Sequence, residues 1–301
     1  MRTALVTGSA KGIGRAILLA LAREGYAVAV HYRPSEALAE ATRQEAEALG
    51  VKAIKVRADL TREEEVDRLV EEVRYHLGGV GVLVNNVGDY LYKPIEEVSL
   101  EEWRWILDTN LTATFLLTQR VLPLMVAQGF GRIVNLGYAG AGNLLARTHI
   151  TPYVIAKTGV ILYTKAIAKR FAASGITANV VAPGVAENSV SKPLHEIPMG
   201  RLALLQEIAQ AVLFFVREPY LTGQVLEMQR IVNDTKGSRR IIQVYKEKIN
   251  QRHQLSRVEA AYIELFPGKK NRELRERLLG ELRERLFAAP AAAPLPPETM
   301  V

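Results

Sequence analysis

Short β-branched apolar runs alternate with longer stretches of helical period through the first 228 residues, and this alternation constrains the chain more than any other feature. Strands are expected near Ala4–Thr7, Ala27–His31, Ala53–Arg57, Val80–Asn85, Arg132–Asn135, Thr177–Ala182 and Gln224–Glu227. Between them the periodicity predicts helices at Ile13–Glu24, Ser35–Leu49, Arg62–Leu77, Leu100–Ala127, Tyr153–Ala173 and Leu204–Arg217. Each strand–helix–strand step returns to a parallel neighbour. Right-handed crossovers then build a doubly wound α/β sheet of seven parallel strands with helices on both faces. Ligands of such sheets bind at the C-terminal strand ends, so the residues after each strand carry the chemistry.

Several functions fall away on composition. The chain has no cysteine, which removes disulfides, thiolate nucleophiles and Cys-ligated zinc. The five histidines, at 31, 76, 149, 195 and 253, show no close i, i+4 pairing, and no metal site is expected. No apolar run approaches the roughly 20 residues of a membrane span, and strand-like residues begin almost at the first position, leaving no room for a signal peptide. A soluble cytoplasmic protein is expected. The formal net charge of +7 is unevenly spread: residues 1–228 hold 24 Lys and Arg against 23 Asp and Glu, whereas residues 229–301 hold 15 against 9. The domain at 1–228 is thus nearly neutral.

From about Gln229 the alternation stops. Apolar residues at helical spacing (Ile241, Ile242, Tyr245 and Ile249, then Leu274, Leu278, Leu279, Leu282 and Leu286) predict a basic helical extension over 229–287. Pro290, Pro294, Pro296 and Pro297 mark 288–301 as a disordered tail. In Arg272-Glu273-Leu274-Arg275-Glu276-Arg277 cations alternate with acids, the pattern of salt-bridged helices more than of a phosphate-binding surface. Helix association within an oligomer is therefore expected ahead of nucleic-acid binding.

Thr7-Gly8-Ser9-Ala10-Lys11-Gly12-Ile13-Gly14 follows the first strand and opens directly into a helix. Glycines permit a tight turn and the close approach of a pyrophosphate, which the helix N-terminus favours, so the loop predicts dinucleotide binding. An Asp or Glu that would hold the adenosine ribose of NAD is missing after the second strand, where the chain reads His31-Tyr32-Arg33. Arg33 with Lys11 could pair instead with the 2′-phosphate of NADP; otherwise both are solvated surface cations. Asp59, ending the third strand, could accept from the adenine amino group or cap the next helix.

Tyr153 and Lys157 stand four residues apart at the start of a helix, on one face. A phenol titrating near 10 is a poor acid–base group at neutral pH unless a cation stabilises its phenolate, and Lys157 can be that cation.

With these residues the chain resembles the short-chain dehydrogenase/reductase family over most of residues 1–228. The Thr7–Gly14 loop, Asp59, Asn85-Asn86-Val87-Gly88, Asn110, Tyr153, Lys157 and Pro183-Gly184 occur in the family's order. The flanking text, including Gly131-Arg132-Ile133-Val134-Asn135 and Leu221-Thr222-Gly223-Gln224, is most similar to the 3-oxoacyl-[acyl-carrier-protein] reductase branch. The resemblance implies a Rossmann sheet and reduction of a small or acyl-chain ketone with NADPH. Tyr153 would protonate the carbonyl oxygen, Lys157 would lower its pKa and bind the nicotinamide ribose, and Asn110 would hold a relay water. It further places Gly8, Ser9, Gly12, Ile13, Gly14, Leu60, Asn86, Val87, Gly88, Pro183 and Gly184 at the cofactor, and implies a homodimer or homotetramer.

The family serine that polarises the carbonyl is missing. The turn reads Asn135-Leu136-Gly137-Tyr138-Ala139-Gly140, and Tyr138 stands in the serine's place, as a substitute donor or an aromatic wall. Asn143, Thr148 and Thr151 are further candidate donors. Two alternatives remain: an NADP(H)-binding protein with a degenerate site whose tail engages a partner or nucleic acid, and a pteridine reductase-like enzyme. The latter is disfavoured because no aspartate lies between Asp108 and Asp234.

Overall fold

The computed structural model describes residues 2–228 except 145, 190, 191, 193, 195, 196 and 198. The predicted extension at 229–287 and tail at 288–301 lie outside the described residues. Seven parallel strands, β1 (Thr3–Val6), β2 (Ala27–Tyr32), β3 (Ala53–Arg57), β4 (Val82–Asn85), β5 (Gly131–Leu136), β6 (Ile176–Ala182) and β7 (Val225–Glu227), form one sheet in the order β3-β2-β1-β4-β5-β6-β7. The order reverses between β1 and β4, which opens the ligand crevice of a doubly wound sheet at their C-terminal ends.

Period-2 alternation sends successive strand residues to opposite layers, each covered by helices. Ala4, Val6, Val28, Val30, Val82 and Val84 join one core with α1 (Gly12–Arg23) and α7 (Leu205–Arg217), through Ile17, Leu18, Leu21, Ile208, Val212 and Phe215. Small buried alanines, Ala39 and Ala46, let α2 (Glu36–Ala48) join that layer. Leu5, Ala29, Leu83 and Ile133 point the other way, against Leu69 and Val73 of α3 (Glu63–Leu77) and Leu117, Val121 and Met125 of α5 (Ala113–Gln128). Residues Thr151–Phe171 form α6, which contributes Ile167 and Ala168 to this second core.

One predicted helix differs. The stretch expected as continuous over Leu100–Ala127 is α4 (Leu100–Leu107), a π-helical turn at Asp108–Thr112, and α5. At its start Ser99 and Glu102 exchange side-chain and backbone hydrogen bonds as a capping box. The π turn follows from Asn110, whose Nδ2 donates to the Ile106 carbonyl at 3.0 Å, the group that an α-helix would offer to the Asn110 backbone N–H. Among the described residues no helix is long and apolar enough to cross a membrane, and no three His, Asp or Glu side chains gather to hold a metal.

Candidate active site

The glycine loop fits a phosphate-bearing ligand. Gly8 and Gly12 hold φ of +62° and +58°, where side chains strain the backbone. A Cβ on Gly14 would stand 2.5 Å from the Gly8 carbonyl oxygen, so only glycine lets the first turn of α1 pack this close. Lys11 is the N-cap, and the first turn of α1 has no acid, leaving its positive end free to face an anion. Thr7 ties the loop to the end of β4, its hydroxyl oxygen accepting from the backbone N–H groups of Asn86 and Val87 at 2.8 and 2.9 Å. Asn86 Nδ2 donates to the Thr7 carbonyl at 2.9 Å, and Val87 lies against Gly8.

Two of the expected cofactor residues turn their side chains inward. The Ser9 side chain is buried, its hydroxyl donating to the Val6 carbonyl at 2.7 Å and accepting from the His31 backbone N–H at 3.1 Å. Leu60 places its side chain in the second core. Each leaves only its backbone to meet a ligand.

Arg33 and Lys11 are exposed, as a phosphate partner requires. Arg33 Nη1 lies 3.5 Å from Asp59 Oδ2, joining the two residues expected to hold opposite edges of an adenosine. Asp59 is not the cap of α3, a place taken by Arg62; its Oδ1 accepts from the Thr61 N–H and hydroxyl at 3.0 and 2.7 Å. Burial opposes ionisation of this carboxyl, but the bonds from Thr61 and the nearby Arg33 hold it below its ordinary value.

At the other end of the crevice, α6 brings Tyr153 and Lys157 beside the end of β5. Lys157 is buried and its Nζ donates to the Leu136 carbonyl at 2.9 Å; burial lowers its pKa to about 8. Helix α6 is fixed by a buried polar chain, in which Asn85 Nδ2 donates to Asn135 Oδ1 at 2.8 Å and Asn135 Nδ2 donates to Thr164 Oγ1 at 2.8 Å. Asn85 and Asn135 are partners in the β4–β5 register.

Asn110 is fully buried, and its Nδ2 also donates to the Asp89 carbonyl at 2.9 Å. Its Oδ1 has no hydrogen-bond partner among the described residues. A Cβ on Gly88 would stand 2.1 Å from that oxygen and 3.3 Å from Lys157 Nζ, so only glycine lets the Asn110 amide lie this close to the backbone beside Lys157. A buried acceptor left unpaired beside a cation suits a bridging water.

Tyr153 lies between two other tyrosines. Its ring meets Tyr138 edge to face with centroids 5.7 Å apart, and Tyr90 in the same way at 5.2 Å. Burial, reinforced by Tyr138 and Tyr90, pushes the Tyr153 phenol above its ordinary value. Lys157 Nζ lies 5.6 Å from the ring centroid, on the same face of α6. Of the further candidate donors, Thr151 gives its hydroxyl to the Arg147 carbonyl at 2.6 Å, while Asn143 and Thr148 are exposed.

Sequence reasoning missed Tyr90 and Asn188. Tyr90, 40% exposed, follows Gly88 in a loop without periodicity. Asn188 follows β6, and its Nδ2 is 2.9 Å from the place of a Cβ on Gly12, so it faces the glycine loop. Only its position shortly after Pro183-Gly184 could have drawn attention to it.

A glycine loop at the switch point and a Tyr–Lys pair at the end of β5 define the class of dinucleotide-binding α/β oxidoreductases. Residues 2–197 match the short chain dehydrogenase family, and the chain belongs to it. It is 37% identical over 236 residues to a 3-oxoacyl-[acyl-carrier-protein] reductase of Synechocystis, covering 75% of this chain and 95% of that protein. A reductase of the same description from Aquifex aeolicus is 36% identical over 238 residues, with 75% and 95% covered. Among solved structures, a proposed gluconate dehydrogenase of Agrobacterium tumefaciens matches with TM-score 0.71 and 31% identity, over 76% of this chain and 94% of that one.

Proposed function

We propose that the protein is an NADPH-dependent carbonyl reductase, similar in substrate class to 3-oxoacyl-[acyl-carrier-protein] reductases. The observation that carries the reading is the grouping of Tyr153 and Lys157 with the unpaired Asn110 Oδ1 across the bare Gly88. The glycine loop, Lys11, Arg33, Asp59, the Leu60 backbone, Asn86, Val87, Gly88, Lys157, Pro183 and Gly184 would hold the cofactor. Bound there, a reduced nicotinamide supplies a hydride to the carbonyl carbon. Tyr153 gives its proton to the carbonyl oxygen, and its raised pKa keeps that proton in place until the alkoxide develops. Lys157 and a water on Asn110 Oδ1 return a proton to the phenolate. Tyr138 flanks the ring of the acid and serves as the second donor to the oxygen.

The protein acts in the cytoplasm as a homodimer or homotetramer, an assembly supported by exposed apolar side chains on α4, α5 and α6, including Trp105, Phe115, Ile155 and Leu162. A second reading, an NADP(H)-binding protein with little catalysis, is favoured by one observation: Tyr138 stands where the family has serine. NADPH oxidation measured with 3-oxoacyl thioesters of increasing chain length and a panel of simple ketones separates the readings. Turnover with any of them supports the reductase; tight NADPH binding without turnover supports the binder.

A further inference from the structure

His31 is a buried titratable group that the proposed chemistry does not use. It is 2% exposed at the end of β2, between the glycine loop and the end of β3. Its Nδ1 lies 2.9 Å from the Gly8 backbone nitrogen and its Nε2 lies 3.0 Å from the Ala58 carbonyl oxygen. The Gly8 N–H can only donate and the Ala58 carbonyl can only accept, so Nδ1 must accept and Nε2 must carry the proton. The backbone completes the clamp: His31 N–H donates to Ser9 Oγ at 3.1 Å, and Ser9 N–H donates to the His31 carbonyl at 3.0 Å. Asp59 follows Ala58, and Arg33 stands two residues beyond His31. One imidazole thereby joins the loop expected under the pyrophosphate to the strand ends expected beside the adenosine.

We infer that His31 is a positioning residue that sets the geometry of the adenosine half of the cofactor site, by accepting from Gly8 and so fixing the glycine loop relative to β2 and β3. The inference rests on the reading that the loop binds NADP(H). The Gly8 N–H is turned to the imidazole, so an anion must be received by amides further along the loop and at the start of α1. Burial makes the arrangement rigid, because losing the acceptor leaves a backbone donor without a partner.

Two isosteric substitutions divide the roles of the ring. Asn places its amide oxygen where Nδ1 stands, keeping the acceptor for Gly8 without reaching Ala58. Gln places its amide nitrogen where Nε2 stands, keeping the donor to Ala58 without serving Gly8. The full chain and its His31→Asn and His31→Gln variants are titrated with NADPH and with adenosine 2′,5′-bisphosphate, a probe of the adenosine half alone, alongside thermal melting. The expected result is that Asn keeps the affinity of the wild type for both, whereas Gln loses roughly tenfold for both, as for a buried donor stripped of its acceptor. Equal affinities in all three proteins, equal losses in both variants, or the reverse order would overturn the inference. Should His31→Gln fail to fold, His31→Asn decides alone: retained affinity supports the inference, and a tenfold loss overturns it. A wild-type chain that binds neither probe overturns the cofactor reading itself and this inference with it.

Discussion

The ring of Tyr138 meets the ring of Tyr153 edge to face, with centroids 5.7 Å apart and planes at 72°. Tyr138 therefore occupies the serine's place in sequence and also touches the ring of the proposed acid. In well-aligned sites, removing a donor from a developing oxyanion costs about a hundredfold. A long phenol held by ring packing is less well aimed, so Tyr138→Phe should lower turnover by roughly tenfold with little change in the Michaelis constant. Steady-state kinetics on one active ketone check this, and unchanged turnover for Tyr138→Phe would reduce Tyr138 to an aromatic wall.

Arg33 lies 3.5 Å from Asp59 and is 52% exposed, so it can turn to a 2′-phosphate at small cost. Arg33→Ala should weaken NADPH binding by roughly tenfold or more, since a charge-assisted contact contributes about 1.5–3 kcal/mol, and leave NADH binding nearly unchanged. Fluorescence titration with both cofactors reads the difference; equal losses for the two would remove Arg33 from the phosphate site.

The close packing of the Asn110 amide on Gly88 gives a steric test. A methyl group there would lie 2.1 Å from Asn110 Oδ1, and the buried amide has little room to retreat. Gly88→Ala should cost about 1–3 kcal/mol of stability, the usual penalty for overpacking, and reduce turnover further by pushing the Asn110 amide away from Lys157. Denaturation and kinetics of a folded Gly88→Ala chain together check this; wild-type turnover would argue against the relay.

The fold was legible because strand residues sort cleanly between two layers, as Leu5 does against Ala4 and Val6. Tyr153 and Lys157 were legible because i, i+4 spacing on a helix fixes a shared face. The π turn was only partly legible: Asn110, a poor helix former, marks a break inside the long helix, but nothing in Asp108–Thr112 distinguishes a π turn from another kink. The inward turn of the Ser9 side chain was not legible, because a glycine-loop pattern does not say which side chains point inward. Tyr90 and Asn188 lie on loops, where only the folded chain determines what faces the crevice.

Burial lowers the His31 pKa from 6.5 to about 4, against the bond to Ala58 that would raise it. In the unfolded chain His31 binds its proton near 6.5, so between those values the unfolded state holds more protons, and stability is lost as pH falls through that window. At about 1.4 kcal/mol per pH unit the loss approaches roughly 3 kcal/mol by pH 4. Denaturant midpoints from pH 7 to 4.5 should fall less for His31→Asn than for the wild type. Parallel pH profiles would show that the imidazole does not titrate this way.

Tyr153→Phe tests the central claim most directly, because it removes one hydroxyl and keeps the ring between Tyr138 and Tyr90. NADPH affinity and NADPH oxidation are measured on the same preparation with a ketone that the wild type reduces. The account predicts wild-type NADPH affinity and turnover reduced by at least about a hundredfold, the scale of a lost general acid. Near-normal turnover in Tyr153→Phe would contradict it.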